Sequence, residues 1–196
     1  MVNKLGLLGK SPSTVVRTEA FINGTYVPAQ SGNTFDTYNP ATGALLAKVS
    51  SCSEEDVNAA VACARQAFQN GCWSELPPSD RKDVLLKFAA LIEEHTLELA
   101  VLDAAEAGKP IADCLEGDIP ETVACIRYHA EAVDKIYDQI SPSAATTLAL
   151  VVREAIGVVG LIVPWNFPLL MAAYVSCVPS RMASVVMFCA FLFLGV

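Results

Sequence analysis

The residues best placed to do chemistry lie between two prolines, in the string Pro164-Trp165-Asn166-Phe167-Pro168. The preceding residues 158–163 are almost entirely apolar, which predicts a buried strand of a parallel sheet. In an open α/β sheet, ligands bind just beyond the carboxyl ends of the strands. Asn166 would lie at such a position, where its side-chain amide could donate a hydrogen bond to an oxyanion that develops during a reaction.

A second interpretation of Asn166 stays open from the residues alone. Asparagine is favoured just before a helix, because its side-chain oxygen accepts a hydrogen bond from a backbone N–H of the first turn. Asn166 could therefore cap a helix that starts at Phe167. The first interpretation predicts a loss of turnover when the residue is replaced, and the second predicts a loss of stability.

The elements that must position this loop begin with β-hairpins. Asn23-Gly24 lies within the β-forming residues 21–27 and predicts a two-residue hairpin turn. Two more strands are predicted over residues 34–38 and 45–49.

Helical patterns occupy the middle of the chain. Apolar residues recur at helical spacing after Ser53, and again after Pro78 with a break near residues 95–96. A further helix is predicted from about residue 118 to residue 138.

A polar loop is predicted over residues 141–147. The residues that follow are typical of strands, which we predict over residues 148–152 and 156–163. The order of hairpins, helices and a buried strand predicts an α/β fold whose parallel sheet has only begun.

The charges are distributed unevenly along the 196 residues, which carry a net charge of −8. Residues 1–154 hold 33 of the 34 Lys, Arg, Asp and Glu side chains, and Arg181 is the remaining one. The acidic balance argues against a nucleic-acid partner, which would need a basic face. The uncharged end of the chain predicts either protein core or membrane.

The seven cysteines give no sign of a metal site or a disulfide framework. Their number is odd and no two are spaced as Cys-x-x-Cys, so a zinc knuckle is not expected. Residues 1–16 lack the long apolar stretch of a secretory signal. Reduced thiols and a cytoplasmic location are therefore the expectation.

Several short strings together carry a resemblance to a known family. They are FINGTYV at residues 21–27, Asn-Pro-Ala-Thr-Gly at 39–43, Gly-Lys-Pro at 108–110, Arg-Tyr at 127–128, Val-Arg-Glu at 152–154 and IVPWNFPLL at 162–170. Over residues 20–174 the chain resembles the NAD(P)-dependent aldehyde dehydrogenases, with the γ-glutamyl-aminobutyraldehyde dehydrogenase type as the nearest resemblance. The fold implied is the N-terminal part of the family's cofactor-binding domain.

The resemblance implies roles for particular residues. Asn166 matches the family's oxyanion-hole asparagine, and residues 162–166 match the wall beside the nicotinamide and ribose of NAD or NADP. The residues implied in that wall are Ile162, Val163, Pro164, Trp165 and Asn166. The residues implied along the aldehyde tunnel are Glu121, Phe167, Leu170, Met171 and Tyr174. For Leu170 and Met171, plain helix packing remains the alternative.

The resemblance also implies a division of the chain. Residues 1–19 form a flexible arm, residues 20–174 a partial cofactor-binding domain, and about 141–157 a strand that contacts another subunit. Residues 175–196 depart from the family, with Phe188 where a cofactor-binding lysine would stand. A terminus altered by a frameshift, by splicing or by a gene-model error is the simplest account.

The implied function is oxidation of an aldehyde to a carboxylic acid with NAD(P)⁺. The nucleophilic cysteine and the general base have no counterpart in the 196 residues, so we expect this chain to be inactive alone. Two alternatives compete with the enzyme: a non-catalytic subunit that associates with full-length dehydrogenases as a homo- or hetero-oligomer, and a membrane-associated fragment. Prolines interrupt the uncharged residues 155–180, so we do not expect membrane insertion.

Overall fold

The structure is a computed structural model that describes residues 16–181 and 185–187. The predicted flexible arm lies outside the described residues except for residues 16–19, which contain no helix or strand. Phe188 and Cys189 of the apolar tail also lie outside them.

Two antiparallel hairpins open the described part of the chain. The first joins β1 (Ala20–Ile22) to β2 (Thr25–Val27), and the second joins β3 (Thr34–Tyr38) to β4 (Leu45–Ser50). Asn23 and Gly24 both have positive φ angles, 53° and 76°. A two-residue hairpin turn requires this backbone, so the predicted Asn-Gly turn is confirmed.

Helices fill the middle of the chain, as the periodicity predicts. They are α1 (Glu54–Gln69), α2 (Pro78–Glu94), α3 (Thr96–Ala107), α4 (Ile111–Asp113) and α5 (Ile119–Ala132). The start of α1 is held by Asp56, whose carboxylate accepts the N–H of Ser53 at 2.8 Å and that of Gln30 at 3.0 Å. The helix is thereby tied to the segment that follows the first hairpin.

The helix predicted over residues 118–138 differs from the observed one at both ends. Helical backbone already begins at α4, and a π-helical turn, Cys114–Asp118, connects α4 to α5. After α5 a 3-10 turn, Val133–Lys135, is followed by the strand β5 (Gln139–Ser141). The strand was missed because three residues show no alternation, and its hydrogen bonds come from β6 (Ala149–Val151), which pairs with it antiparallel.

The last elements contain the predicted start of a parallel sheet. Strand β7 (Val158–Gly160) pairs in parallel with β8 (Val185–Met187), and the helix α6 (Pro168–Arg181) lies between them in the chain. This is a strand–helix–strand crossover, the connection that parallel strands need. Every sheet among the described residues is two-stranded.

The core lies where α2, α5 and α6 pack together. Its fully buried side chains include Ala89, Ile119, Ile126 and Ala130. None of the helices in the described part of the chain is both long and apolar enough to span a bilayer.

Gly108 ends α3 in the left-handed conformation and brings the Gly-Lys-Pro motif against the Asn-Pro motif. Gly108 has φ 68°, and its N–H donates to the carbonyl of Ala104 at 3.0 Å. A Cβ at Gly108 would lie 2.6 Å from Cγ of Pro40. The Gly-Lys-Pro turn therefore packs closely on the Asn-Pro turn that follows β3, and only glycine meets both conditions.

We predict that Gly108→Ala lowers the free energy of unfolding by about 2 kcal/mol or more. The positive φ alone costs about 1–2 kcal/mol for an L-residue, and the contact with Pro40 adds to it. Gly24→Ala is the matched control for φ, because that glycine has φ 76° and open space around its Cβ position. Gly117→Ala is the control for the glycine-to-alanine change itself, because Gly117 has neither a positive φ nor a close neighbour at its Cβ position. Urea unfolding of the three variants is the measurement, and equal losses for Gly108→Ala and Gly24→Ala would contradict the packing argument.

Candidate functional site

The loop between β7 and α6 presents alternate residues to the core and to solvent. Leu161 and Val163 are buried, whereas Ile162 is 77% exposed and Trp165 is 50% exposed. Asn166 is exposed as well. Leu161 and Val163 thus attach the loop to the core. Its exposed side presents apolar side chains next to the amide of Asn166.

Helix α6 begins one residue later than the capping interpretation required. The N–H of Met171 donates to the carbonyl of Phe167 at 2.9 Å, so Phe167 occupies the N-cap position and Pro168 the first helical one. Asn166 precedes the cap. Its side chain stands at the end of the loop, next to the positive end of the helix dipole.

Phe167 is held by a lysine from a distant part of the chain. The ammonium of Lys109 lies 4.0 Å from the centre of the Phe167 ring. The same ammonium forms an ion pair with the carboxylate of Asp118, in the π-helical turn before α5. The side chains of Lys109 and Asp118 are only 18% and 8% exposed, so little water screens the arrangement.

A buried carboxylate contacts the first turn of α6. Asp103, from α3, accepts the backbone N–H of Leu169. Burial, with the nearby Asp118, raises the pKa of Asp103 to about 6, despite the opposing effects of this hydrogen bond and of Lys109. Burial and Asp103 raise the pKa of Glu106 to about 7. The hydrogen bond from Leu169 and the charge of Lys109 favour the ionised form of Asp103, whereas burial opposes it.

A groove of about 530 Å³ runs between α5 and α6. Its lining residues are Glu121, Ala124, Cys125, Tyr128, His129, Tyr174 and Val178. Two of the residues implied in the aldehyde tunnel, Glu121 and Tyr174, are thus brought to one groove from different helices. The groove offers one carboxylate, two phenol rings, one imidazole and one thiol, beside the apolar side chains of Ala124 and Val178.

The other residues implied in the tunnel do not line this groove. Leu170 is buried and Met171 is half-buried in the first turn of α6, which agrees with the helix-packing alternative for these two residues. Phe167 lies at the head of the helix under Lys109. The tunnel roles of these three residues stay predictions.

The exposed face of the loop has the composition that a nicotinamide cofactor needs along one wall. Ile162, Pro164 and Trp165 offer apolar surface, and the amide of Asn166 adds donors and an acceptor. Four of the five residues implied in the cofactor wall are thus exposed and have suitable chemistry, whereas the fifth, Val163, is buried. The wall stays a prediction. Among the described residues, no group of three or more His, Cys, Asp or Glu side chains could hold a metal ion.

Sequence reasoning missed the charged residues around the start of α6. Lys109 entered only as part of a turn motif, and Asp103 and Asp118 were not singled out. A signal did exist: Asp103 and Glu106 are three residues apart on α3, so both acids can lie on one helix face. The pattern does not reveal that this face meets the start of a helix sixty residues later.

The comparisons with known proteins agree in naming one family. A sequence model described as the aldehyde dehydrogenase family matches residues 26–184. An aminoacetaldehyde dehydrogenase of Pseudomonas aeruginosa is 55% identical over 155 residues, which cover 79% of this chain and 31% of that relative. An NADP/NAD-dependent aldehyde dehydrogenase of Escherichia coli, PuuC, is 43% identical over 165 residues, covering 84% of this chain and 33% of that relative.

Solved structures agree in fold. The γ-glutamyl-γ-aminobutyraldehyde dehydrogenase of Burkholderia cenocepacia superposes with a TM-score of 0.85 at 46% identity, over 87% of this chain and 35% of that one. The indole-3-acetaldehyde dehydrogenase AldA of P. syringae, solved with NAD⁺ and IAA, gives a TM-score of 0.84 at 45% identity, over 86% and 34%. The chain thus spans about a third of the length of the relatives it matches. Over that third, its loop, its helices and its sequence place it in the aldehyde dehydrogenase family.

Proposed function

We propose that this chain supplies the oxyanion donor and one cofactor wall of an enzyme that oxidises aldehydes to carboxylic acids with NAD⁺ or NADP⁺. The observation that carries the proposal is the position of Asn166: an exposed amide between two prolines, in the loop that leads from β7 to α6 and two residues before that helix begins. The family match covers this loop.

The chemistry proposed for the chain is stabilisation of developing charge. When a nucleophile adds to the aldehyde carbon, negative charge collects on its oxygen, and the amide of Asn166 donates a hydrogen bond to that oxygen. The flanking prolines restrict the backbone, so little reorganisation is needed at that moment. Ile162, Pro164 and Trp165 would hold NAD(P)⁺ along one side, and the cofactor would supply the hydride acceptor.

The nucleophile is not expected among the cysteines near the groove. Burial raises the pKa of the Cys125 thiol, that of Cys114 to about 11 and that of Cys177 to about 12. Thiols with raised pKa values form little of the thiolate that attacks an aldehyde. We also propose that the 196 residues turn over no aldehyde by themselves. Among the described residues, Cys63, Cys72, Cys114, Cys125 and Cys177 are free thiols, which supports the proposal of a reducing, cytoplasmic location.

The role of Asn166 can be tested in a chimeric dehydrogenase, in which residues 20–174 replace the corresponding segment of the 55% identical Pseudomonas aeruginosa relative. We predict that Asn166→Ala lowers the rate of hydride transfer about 10²–10³-fold in single-turnover assays, because one oxyanion donor is lost. Substrate affinity should change little, since the bond strengthens mainly in the transition state.

Asn70→Ala is the matched control, because Asn70 is an exposed asparagine at the end of α1. It should leave hydride transfer unchanged. If Asn166→Ala stays within about threefold of the parent while the melting temperature falls, the residue acts only in stability and the proposal is wrong.

We further propose that the substrate is an aldehyde that carries a positively charged amino group. The groove holds the carboxylate of Glu121 beside the rings of Tyr128 and Tyr174, a combination that attracts an ammonium group. One relative supports this choice by name, since it is an aminoacetaldehyde dehydrogenase.

In the chimeric dehydrogenase, Glu121→Gln should lower kcat/KM for 3-aminopropanal about threefold relative to propanal. This is the size expected for one exposed charge pair. Glu116→Gln removes the same charge from an exposed position five residues away and should leave the ratio unchanged. An equal loss with both aldehydes would show that Glu121 does not select the amino group.

A second candidate function, association with other dehydrogenase subunits, is favoured by the β5–β6 hairpin. Ile140 and Leu150 lie directly opposite each other on one of its faces, and they are 75% and 56% exposed. Tyr137, Leu148, Val151 and Val152, in or next to the same hairpin, are also more than half exposed. Large exposed apolar patches mark sites of interaction with other proteins. We propose that this hairpin pairs with a second copy of the chain or with a full-length relative.

Analytical ultracentrifugation tests the association. The double variant Ile140→Lys, Leu150→Lys should shift the chain towards monomer at least tenfold in dissociation constant, because two charges would be buried in the contact. Val84→Lys, at an exposed apolar position of α2, is the control and should leave the assembly state unchanged. A monomeric parent chain that also fails to bind the full-length relative would refute this candidate.

A further inference from the structure

We infer that Lys109, held by Asp118, is a positioning group that fixes Asn166 by immobilising its neighbour Phe167, while Asp103 holds Leu169 in the first turn of α6. The inference rests on the proposed role of Asn166 as the oxyanion donor. Lys109 touches no reacting atom in this account. It acts through the ring of Phe167, the neighbour of Asn166.

The first part of the argument is the contact between Lys109 and Phe167. The ammonium lies 4.0 Å from the ring centre, within the range of a cation–π interaction. The same ammonium pairs with the carboxylate of Asp118, whose side chain is 8% exposed. These two contacts restrict where the ammonium can lie, and they restrict the Phe167 ring beneath it as well.

The second part is the anchor of α6 itself. Asp103 is 6% exposed and accepts the N–H of Leu169, in the first turn of the helix. Pro168 has no N–H to donate, so the Leu169 N–H is among the first that the helix must satisfy. Asp103 does so from α3, which ties the head of α6 to a different element.

The third part is the balance of charge at this point. Asp103, Glu106 and Asp118 are three acids, and Lys109 is the cation that acts on Asp103 and pairs with Asp118. Removing the charge of Lys109 has two effects at once. The carboxylate of Asp118 stays buried without its ion-pair partner, and the Phe167 ring loses its cation–π contact. Lys109 can reach both groups because the left-handed Gly108 turns the chain immediately before it.

Distinguishing positioning from plain stabilisation needs a kinetic readout. In the chimeric dehydrogenase, Lys109→Met keeps an unbranched apolar side chain over the ring and removes the charge. We expect hydride transfer to fall about tenfold with KM within twofold of the parent. Lys109→Arg should restore the rate to within threefold, because a guanidinium also stacks on a ring and pairs with a carboxylate.

Lys82→Met is the matched control, because Lys82 forms an ion pair with Glu131 at 2.7 Å on the outer side of α2 and α5. It removes a lysine ion pair elsewhere, and hydride transfer should stay unchanged. If Lys109→Met lowers only the melting temperature, as any ion-pair loss would, the inference is overturned.

A double variant separates this inference from the proposed function. If Lys109 acts through Asn166, then Lys109→Met should slow the Asn166→Ala enzyme by less than twofold. A full tenfold effect in that background would mean that Lys109 acts independently and would overturn the inference alone. A normal rate for Asn166→Ala would instead overturn the proposed function, and the inference with it.

A measurement on the 196-residue chain covers the case in which a variant of the chimera does not fold. Trp73→Phe leaves Trp165, next to Asn166, as the only indole. Lys109→Met and Asp118→Asn should each raise the acrylamide quenching constant of Trp165 by about 1.5-fold, and Lys82→Met should not. An unchanged quenching constant in both variants, with the far-UV circular dichroism retained, would contradict the positioning role.

Discussion

The close packing of α6 against α5 is the interaction on which the candidate site depends. Helix α6 contributes small buried side chains to the core, among them Ala173 and Cys177, and small side chains allow two helices to approach closely. The buried hydroxyl of Ser176 donates to the carbonyl of Ala172 at 2.6 Å, so this hydroxyl is satisfied within its own helix. Because α6 is fixed in this way, both the groove beside it and the loop in front of it have a defined position.

The first turn of α6 is surrounded by charged side chains, in contrast to the apolar packing between α5 and α6. A buried ion pair such as Lys109–Asp118 is poor evidence for stability, because desolvation offsets much of the attraction. Carboxyls with raised pKa values, Asp103 and Glu106, add to the cost of folding when they are ionised. We interpret this cluster of Lys109, Asp103, Glu106 and Asp118 as serving to position the start of α6 rather than to stabilise the fold. The apolar surface of α5 and α6 supplies the stability instead.

Much of the local architecture could be predicted from the sequence, because local chemistry decides it. Asn-Gly determines the first turn through its positive φ angles, and helical spacing gave α1 to α3 with the break at residues 95–96. The family resemblance carried by the proline-flanked string around Asn166 is confirmed. The buried strand predicted before it, over residues 156–163, is wrong in length and burial, because β7 covers only Val158–Gly160, with two half-buried residues and one exposed. Other errors fell at the ends of α5 and at β5, where three residues form a strand only because β6 lies beside them.

By itself, the sequence determined the elements, the family and the residue proposed to stabilise an oxyanion. Only the tertiary structure decided which side chains meet around that residue. Lys109 and Phe167, Asp103 and Leu169, and Glu121 and Tyr174 are each more than fifty positions apart in the chain. Helical periodicity tells which residues share a face but not which face meets another helix. The packing of α5 against α6 and the left-handed turn at Gly108 determine which faces meet. These long-range contacts cannot be predicted from any local stretch of residues.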